Sequence, residues 1–169
     1  MNPIFAIFIT RNIPDGTLTS VGVAVALFWF TRAIIQIPVA NYLDKHKGER
    51  DDFRALLIGL LVAAGAAFLM PFATTMNHVY IIEFIHAVAF SLYIPAWSGI
   101  FSRHIDHDHS TLDWALDRSA GGFATGMSAL LGGVIASAWG FPSVFVIAGF
   151  SSLIAACIVT GKQIGRAHV

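Results

Sequence analysis

Three ionisable side chains interrupt long apolar stretches of this sequence, where a charged group is costly and commonly serves a function. Arg32 stands between Phe30 and Ile34, and a central arginine costs about 2.5–3.5 kcal/mol to insert into a bilayer. It should therefore face the interior of a helix bundle or a wet cavity. Glu83 and His86 are three residues apart, so a helix would place them on one face.

Two interpretations of these residues are open on sequence alone. In the functional one, Arg32 binds an anionic substrate or pairs with an acidic residue, while Glu83 and His86 relay a proton. In the structural one, Arg32 belongs to a buried ion pair, and Glu83 and His86 extend their polar ends to the outer interface of the bilayer. We treat Arg32, Glu83 and His86 as candidates for substrate binding or ion coupling.

The elements that position these side chains must be membrane helices. Apolar residues make up 56% of the 169 residues and charged residues 12%, and the mean hydropathy is +0.72. A soluble fold of this size could not bury so much apolar surface. Ten Lys and Arg balance ten Asp and Glu, so no basic excess exists to hold a nucleic acid. The single cysteine, Cys157, excludes an intramolecular disulfide.

Apolar stretches of about 20 residues can cross a bilayer as helices. We predict five full spans, at about residues 18–43, 55–74, 79–102, 113–139 and 142–161. The apolar segment at residues 3–10 is too short to cross, and we interpret it as the end of a first helix whose beginning is missing. The predicted fold class is all-α, a polytopic membrane helix bundle within residues 1–162.

The final residues, 163–169, are expected to be a non-native tail. The segment from Ile164 to Val169 back-translates, codon for codon, into a common sequencing adapter. Appended segments of this kind are excluded from reasoning about the fold.

Basic residues are distributed unevenly between the two ends of the predicted helices. With the partial helix counted as the first, Lys45, Lys47, Arg50 and Arg54 lie in the 2–3 loop, whereas the opposite side carries Arg11. Positive charge marks the cytoplasmic side of a membrane protein. We therefore expect a multi-pass protein of the cell membrane, inner or plasma, with the 2–3 loop, the 4–5 loop and the C-terminal end in the cytoplasm.

The 2–3 loop contains an acidic–basic motif. Asp44 and Lys45 form its centre, and Gly48 and Arg50 form its turn and its basic end. The helix dipole disfavours a carboxylate at a helix C-terminus, so Asp44 would gain from a basic group or a helix N-terminus nearby. Gly48 would permit a sharp turn back into the membrane. A plain anchor loop, held by positive charge alone, is the alternative interpretation.

This motif resembles the signature loop between the second and third helices of the major facilitator superfamily. The sequence departs from the signature at Ala40, Tyr42, Lys47 and Glu49. The loop lengths along the chain are also similar to one six-helix half of that superfamily. The resemblance implies secondary transport of a small-molecule substrate by alternating access, with the loop acting as a latch. It also implies three partners: the lipid bilayer, the substrate, and either a missing second half or a homodimer copy.

Other functional classes fit the sequence less well. We do not expect an enzyme, because no cluster of catalytic groups is evident, and we expect no cofactor. The His- and Asp-rich tract at residues 103–109 is not expected to hold a metal, since such tracts are weak evidence on composition alone. A non-transporting membrane subunit or assembly factor is the alternative function. Small residues of the fifth helix would let helices approach closely in either case; they are Gly122, Gly126, Gly132 and Gly133.

Overall fold

The structure, a computed structural model, describes residues 3–45 and 48–166. Within these residues the chain forms six α-helices and no strand, which confirms the predicted all-α class. The helices are α1 (Pro3–Asn12), α2 (Leu18–Lys45), α3 (Glu49–Leu69), α4 (Met76–His104), α5 (Ser110–Trp139) and α6 (Phe141–Arg166). Short 3-10 turns follow α3 and α4, at Met70–Phe72 and His107–His109.

Five of these helices are long and apolar enough to cross a membrane, namely α2 to α6. Helix α1 has 10 residues and is about 15 Å long at 1.5 Å per residue, which is about half the thickness of a bilayer core. Large apolar side chains cover the outer surface; Phe30, Phe123 and Trp139 are 69%, 74% and 72% exposed. Such extensive apolar patches are rare on soluble proteins. The exposed apolar side chains can contact the lipid chains of a bilayer. The predicted polytopic membrane helix bundle is confirmed.

The helices extend beyond the apolar stretches from which they were predicted. Helix α3 begins at Glu49, because Glu49, Asp51 and Asp52 occupy its first turn, where the helix dipole stabilises carboxylates. Helix α6 continues to Arg166. Residues 167–169, the last part of the expected non-native tail, lie outside the described residues.

Helix α4 lies at the centre of the bundle and packs against both α2 and α3, while α3 also packs against α6. The backbones of α3 and α4 come close together at Gly59 of α3. A Cβ atom there would lie 2.8 Å from the carbonyl oxygen of Ala89 and 3.0 Å from the backbone nitrogen of Tyr93. Helix α5 packs mainly against α6 and α1, and most of its surface is exposed.

The four glycines of α5 differ in their surroundings. A Cβ at Gly132 would lie 2.6 Å from Cδ1 of Ile4 in α1, whereas a Cβ at Gly122, Gly126 or Gly133 would meet no atom within 4 Å. At 3.6 residues per turn, these three glycines lie about 100° around the helix from Gly132. They therefore do not face α1, and their role in helix packing stays a prediction.

Two glycines at helix ends differ in what their backbone requires. Gly140 alone joins α5 to α6, with φ +82° and ψ 167°, a region that only glycine adopts readily. Its N–H donates to the carbonyl oxygen of Ala136 at 3.0 Å. Gly48 has φ 166° and ψ 145°, which is extended backbone open to any residue. The backbone here does not itself require glycine, and the role of Gly48 in the motif stays a prediction.

Candidate binding cavity

A cavity of about 580 Å³ lies inside the bundle. Helices α1, α2, α3, α4 and α6 contribute to its wall, whereas the described residues of α5 do not. Glu83 and His86 both line it, and Arg32 does not. The structure thus brings together two of the three ionisable candidates and separates the third.

The cavity exists because one side of its wall is built from small side chains. Helix α3 offers mostly glycine and alanine on this face, and α6 adds alanine and serine. Larger residues here would fill the space, since protein interiors otherwise pack as densely as organic crystals. The small wall residues are Gly59, Ala63, Ala66, Ala67, Ala148 and Ser152.

A second part of the wall is a stripe of polar and aromatic side chains along α4. Glu83, His86, Phe90 and Tyr93 follow one another at spacings of three, four and three residues, so they share one helix face, and all four line the cavity. Phe28 of α2 completes an aromatic cluster with them. Its ring centroid is 5.6 Å from that of His86 and 5.8 Å from that of Phe90, both in edge-to-face geometry.

Glu83 is the buried charged group of this wall. The residue is 8% exposed, and its Oε1 lies 3.9 Å from Nδ1 of His86. That distance is too long for a direct hydrogen bond but close enough for an ion pair when the imidazole is protonated. The side chain of Glu83 lines the cavity, and its role in substrate binding or ion coupling stays a prediction.

Arg32 is satisfied by neighbours on its own helix. Its Nε donates to Oε1 of Gln36 at 3.2 Å, and its guanidinium carbon lies 5.0 Å from the ring centroid of Trp29. Both partners lie within one helical turn, at i+4 and i−3. The predicted pairing of Arg32 with an acidic residue is not seen among its described contacts, and its role in substrate binding stays a prediction.

The motif residues of the 2–3 loop lie at one end of the bundle. Asp44, Lys45 and Gly48 are exposed at the surface, as is Arg50, while Lys47 lies outside the described residues. Asp44 also lines a cleft between α2, α4 and α5 that contains Trp114. The latch role of the motif stays a prediction, since no described contact tests it.

Sequence analysis missed a pair of ionic contacts at this same end. The Arg103 guanidinium of α4 donates to the carboxylate of Asp52 in α3, and Asp52 is 2% exposed. Beside it, Nε2 of His104 lies 3.3 Å from Oε1 of Glu49. The available signal was the position of the charges: three carboxylates lie in the first turn of α3 and two basic groups in the last turn of α4.

Sequence analysis also missed the aromatic members of the cavity wall, Phe28, Phe90 and Tyr93. Counting seven and ten residues along the helix from Glu83 gives Phe90 and Tyr93, which could have been placed on the same face. No sequence signal pointed to Phe28, because its place depends on how α2 packs against α4. In the part of the chain that the structure describes, no group of three metal-ligating side chains comes together.

Comparison with known proteins bears on what this cavity serves. The family model described as Major Facilitator Superfamily matches residues 1–162. The chain is also similar to the Proton-coupled antiporter flippase LtaA of Staphylococcus saprophyticus, with 23% identity over 133 residues. That alignment covers 79% of this chain and 33% of the relative, so the chain spans about a third of the length of the curated relative it matches. No solved structure matches.

Proposed function

The chain belongs to the Major Facilitator Superfamily, and on that premise we propose that it moves a small solute by alternating access, as one half of a secondary active transporter. Family membership points to a membrane transporter rather than an enzyme. The observation that supports the finer proposal is the cavity of about 580 Å³ inside a membrane bundle. Pockets that bind small molecules measure about 300–1,000 Å³, so a solute can be accommodated here.

Proton coupling through Glu83 is part of this proposal. Glu83 is 8% exposed and lines the cavity beside His86, with 3.9 Å between its Oε1 and the His86 Nδ1. The similar staphylococcal protein is named a proton-coupled antiporter, which supports the proton as the coupling ion here.

The surroundings of the bundle are part of the same proposal. Basic residues gather at the end that carries Lys45, Arg50, Arg54 and Arg103, which supports a cytoplasmic position for that end in the cell membrane. The apolar surface of α5 is mostly exposed. A second six-helix half, or a second copy of this chain, is proposed to cover part of that surface and to complete the transport path.

A thiol-accessibility experiment tests alternating access without knowledge of the substrate. Ser152 of α6 lines the cavity, and Ser152→Cys is a small change. With Cys157→Ser as background, the new thiol is exposed to a membrane-impermeant methanethiosulfonate cation in right-side-out and in inside-out vesicles. Alternating access predicts modification from both sides, because the cavity opens to each in turn.

Ser151→Cys is the matched control. Ser151 is the preceding residue on α6, is exposed, and does not line the cavity, so lipid should keep its thiol unreactive from both sides. Modification of the Ser152→Cys thiol from one side alone would contradict alternating access. It would favour the alternative, a membrane subunit that does not transport.

A further inference from the structure

The chemistry of the cavity wall restricts which solutes it can hold. Among the described residues, no Lys or Arg lines the cavity, and the buried charge is the Glu83 carboxylate. An anion would be placed against that carboxylate without a fixed cation to offset the repulsion. The wall thus disfavours anionic solutes such as organic acids or phosphates.

The wall also disfavours strongly polar neutral solutes. Besides Glu83, the side chains that can form hydrogen bonds here are those of Trp29, His86, Tyr93 and Ser152. The Ser152 hydroxyl already donates to the carbonyl oxygen of Ala148 at 3.1 Å. A sugar or a zwitterion would leave several polar groups without partners, and each buried unpaired group costs free energy.

Aromatic rings line the same cavity as Glu83. The rings of Phe28, His86 and Phe90 are mutually within 5.0–5.8 Å, and all three line the cavity together with Glu83. A cation within about 6 Å of a ring centroid is attracted by the electron-rich face of the ring. Apolar groups on the same solute would bury their surface against Ala63, Ala67 and the other small residues of α3.

We propose that this cavity binds lipophilic organic cations, with the positive charge beside the Glu83 carboxylate and the apolar substituents against the α3 wall. The inference rests on the proposed function, whose site it specifies. Arg32 does not prevent it, because that guanidinium is hydrogen-bonded to Gln36 and does not line the cavity.

Binding of two ions of equal shape and opposite charge tests the proposal. Tritiated tetraphenylphosphonium is the cation, and tetraphenylborate is the anion of matching shape; both are measured on the purified protein in detergent. We expect saturable binding of the cation and weaker binding of the anion by about ten-fold or more. Equal affinity for the two ions would overturn the proposal, because apolar burial alone would then explain binding.

A variant of the cavity wall tests whether binding depends on the charge of Glu83 or only on the size of its side chain. Glu83→Gln keeps the size of the side chain and removes the charge, and we expect it to weaken cation binding by about ten-fold while leaving anion binding no weaker. Asp51→Asn is the control: it removes a carboxylate that pairs with Arg54 at the end of α3, away from the cavity, and cation binding should not change. Unchanged cation affinity in Glu83→Gln would overturn the proposal.

Phe90→Leu provides a second variant that keeps an apolar side chain and removes a ring. We expect cation affinity to fall about three- to ten-fold, and anion affinity to change little. Size-exclusion profiles and thermal unfolding confirm that each variant is folded. The thiol experiment at Ser152 uses no ligand, so the two proposals can fail separately. If the cation does not bind, the cation site is contradicted and alternating access is not. If the thiol is reached from one side only, alternating access is contradicted and the cation site is not.

Discussion

Arg103 in the last turn of α4 donates a hydrogen bond to the buried carboxylate of Asp52 in the first turn of α3. The contact joins the two helices that pack most closely in the bundle. Asp52 is 2% exposed, so its charge depends on that guanidinium far more than a surface carboxylate would.

Removal of Arg103 should therefore destabilise the protein more than removal of the Asp52 charge. We expect Arg103→Ala to lower the free energy of unfolding by about 2–3 kcal/mol, because it leaves a buried carboxylate without its partner. Asp52→Asn should lower the free energy of unfolding by about 1 kcal/mol, because the neutral amide leaves no unpaired charge in the interior. Thermal unfolding of the purified variants measures both, and the double variant should be more stable than Arg103→Ala alone. Equal losses from the two single variants would contradict this account.

The close approach of α3 to α4 gives a second prediction. In Gly59→Ala the new Cβ would meet the backbone of Ala89 and Tyr93 at 2.8 and 3.0 Å, and backbone cannot move aside as a flexible side chain can. We expect a loss of about 1–3 kcal/mol in thermal unfolding experiments. Gly122→Ala is the control, because a Cβ there meets nothing within 4 Å. Its stability should be unchanged or raised by up to about 1 kcal/mol.

The two glycines at helix ends should respond differently to the same substitution. Gly140→Ala forces a side chain into a backbone region with φ +82° and ψ 167°, at a cost of about 1–3 kcal/mol. Gly48→Ala should change stability by less than about 0.5 kcal/mol, the usual range for surface positions, because Gly48 is extended and its Cβ would face open space. Chemical or thermal unfolding in detergent measures both changes in stability. A loss at Gly48 above about 0.5 kcal/mol would indicate that the motif needs the backbone freedom of glycine at this position.

Arg32 should matter less to binding than Glu83. Arg32→Gln removes the guanidinium that lies over Trp29, which should cost about 0.5–1 kcal/mol of stability. Because Arg32 does not line the cavity, we expect tetraphenylphosphonium affinity to stay within about two-fold of the original. A loss of affinity as large as that in Glu83→Gln would instead indicate that Arg32 takes part in binding.

The fold class followed from the sequence because its signal is large and local. Long uncharged stretches of this kind cross a bilayer as helices, because a helix satisfies the hydrogen bonds of its own backbone. The one-residue connection at Gly140 was also close to expectation, since glycine and proline mark such turns. In both cases the information lies within a few neighbouring residues.

The site was predictable only in part, because it depends on contacts between distant residues. Glu83 and His86 were found as charges within an apolar span, and their common face followed from helix geometry. Whether that face looks inward depends on how α4 packs, which put Glu83 in the cavity and Arg32 outside it. The packing of Gly59 against α4 likewise needs two helices to be placed, and so does the contact of Gly132 with Ile4.

The single-residue connection at Gly140 has a mechanical consequence for α5. A one-residue link has no slack, so the adjoining ends of α5 and α6 are coupled. Helix α5 has 30 residues and is about 45 Å long, so a tilt of about 10° about Gly140 would move its far end by about 8 Å. Such a tilt would disrupt the hydrogen bond that Trp97 of α4 donates to Asp117 of α5 at 3.1 Å, and this contact therefore fixes the angle of α5.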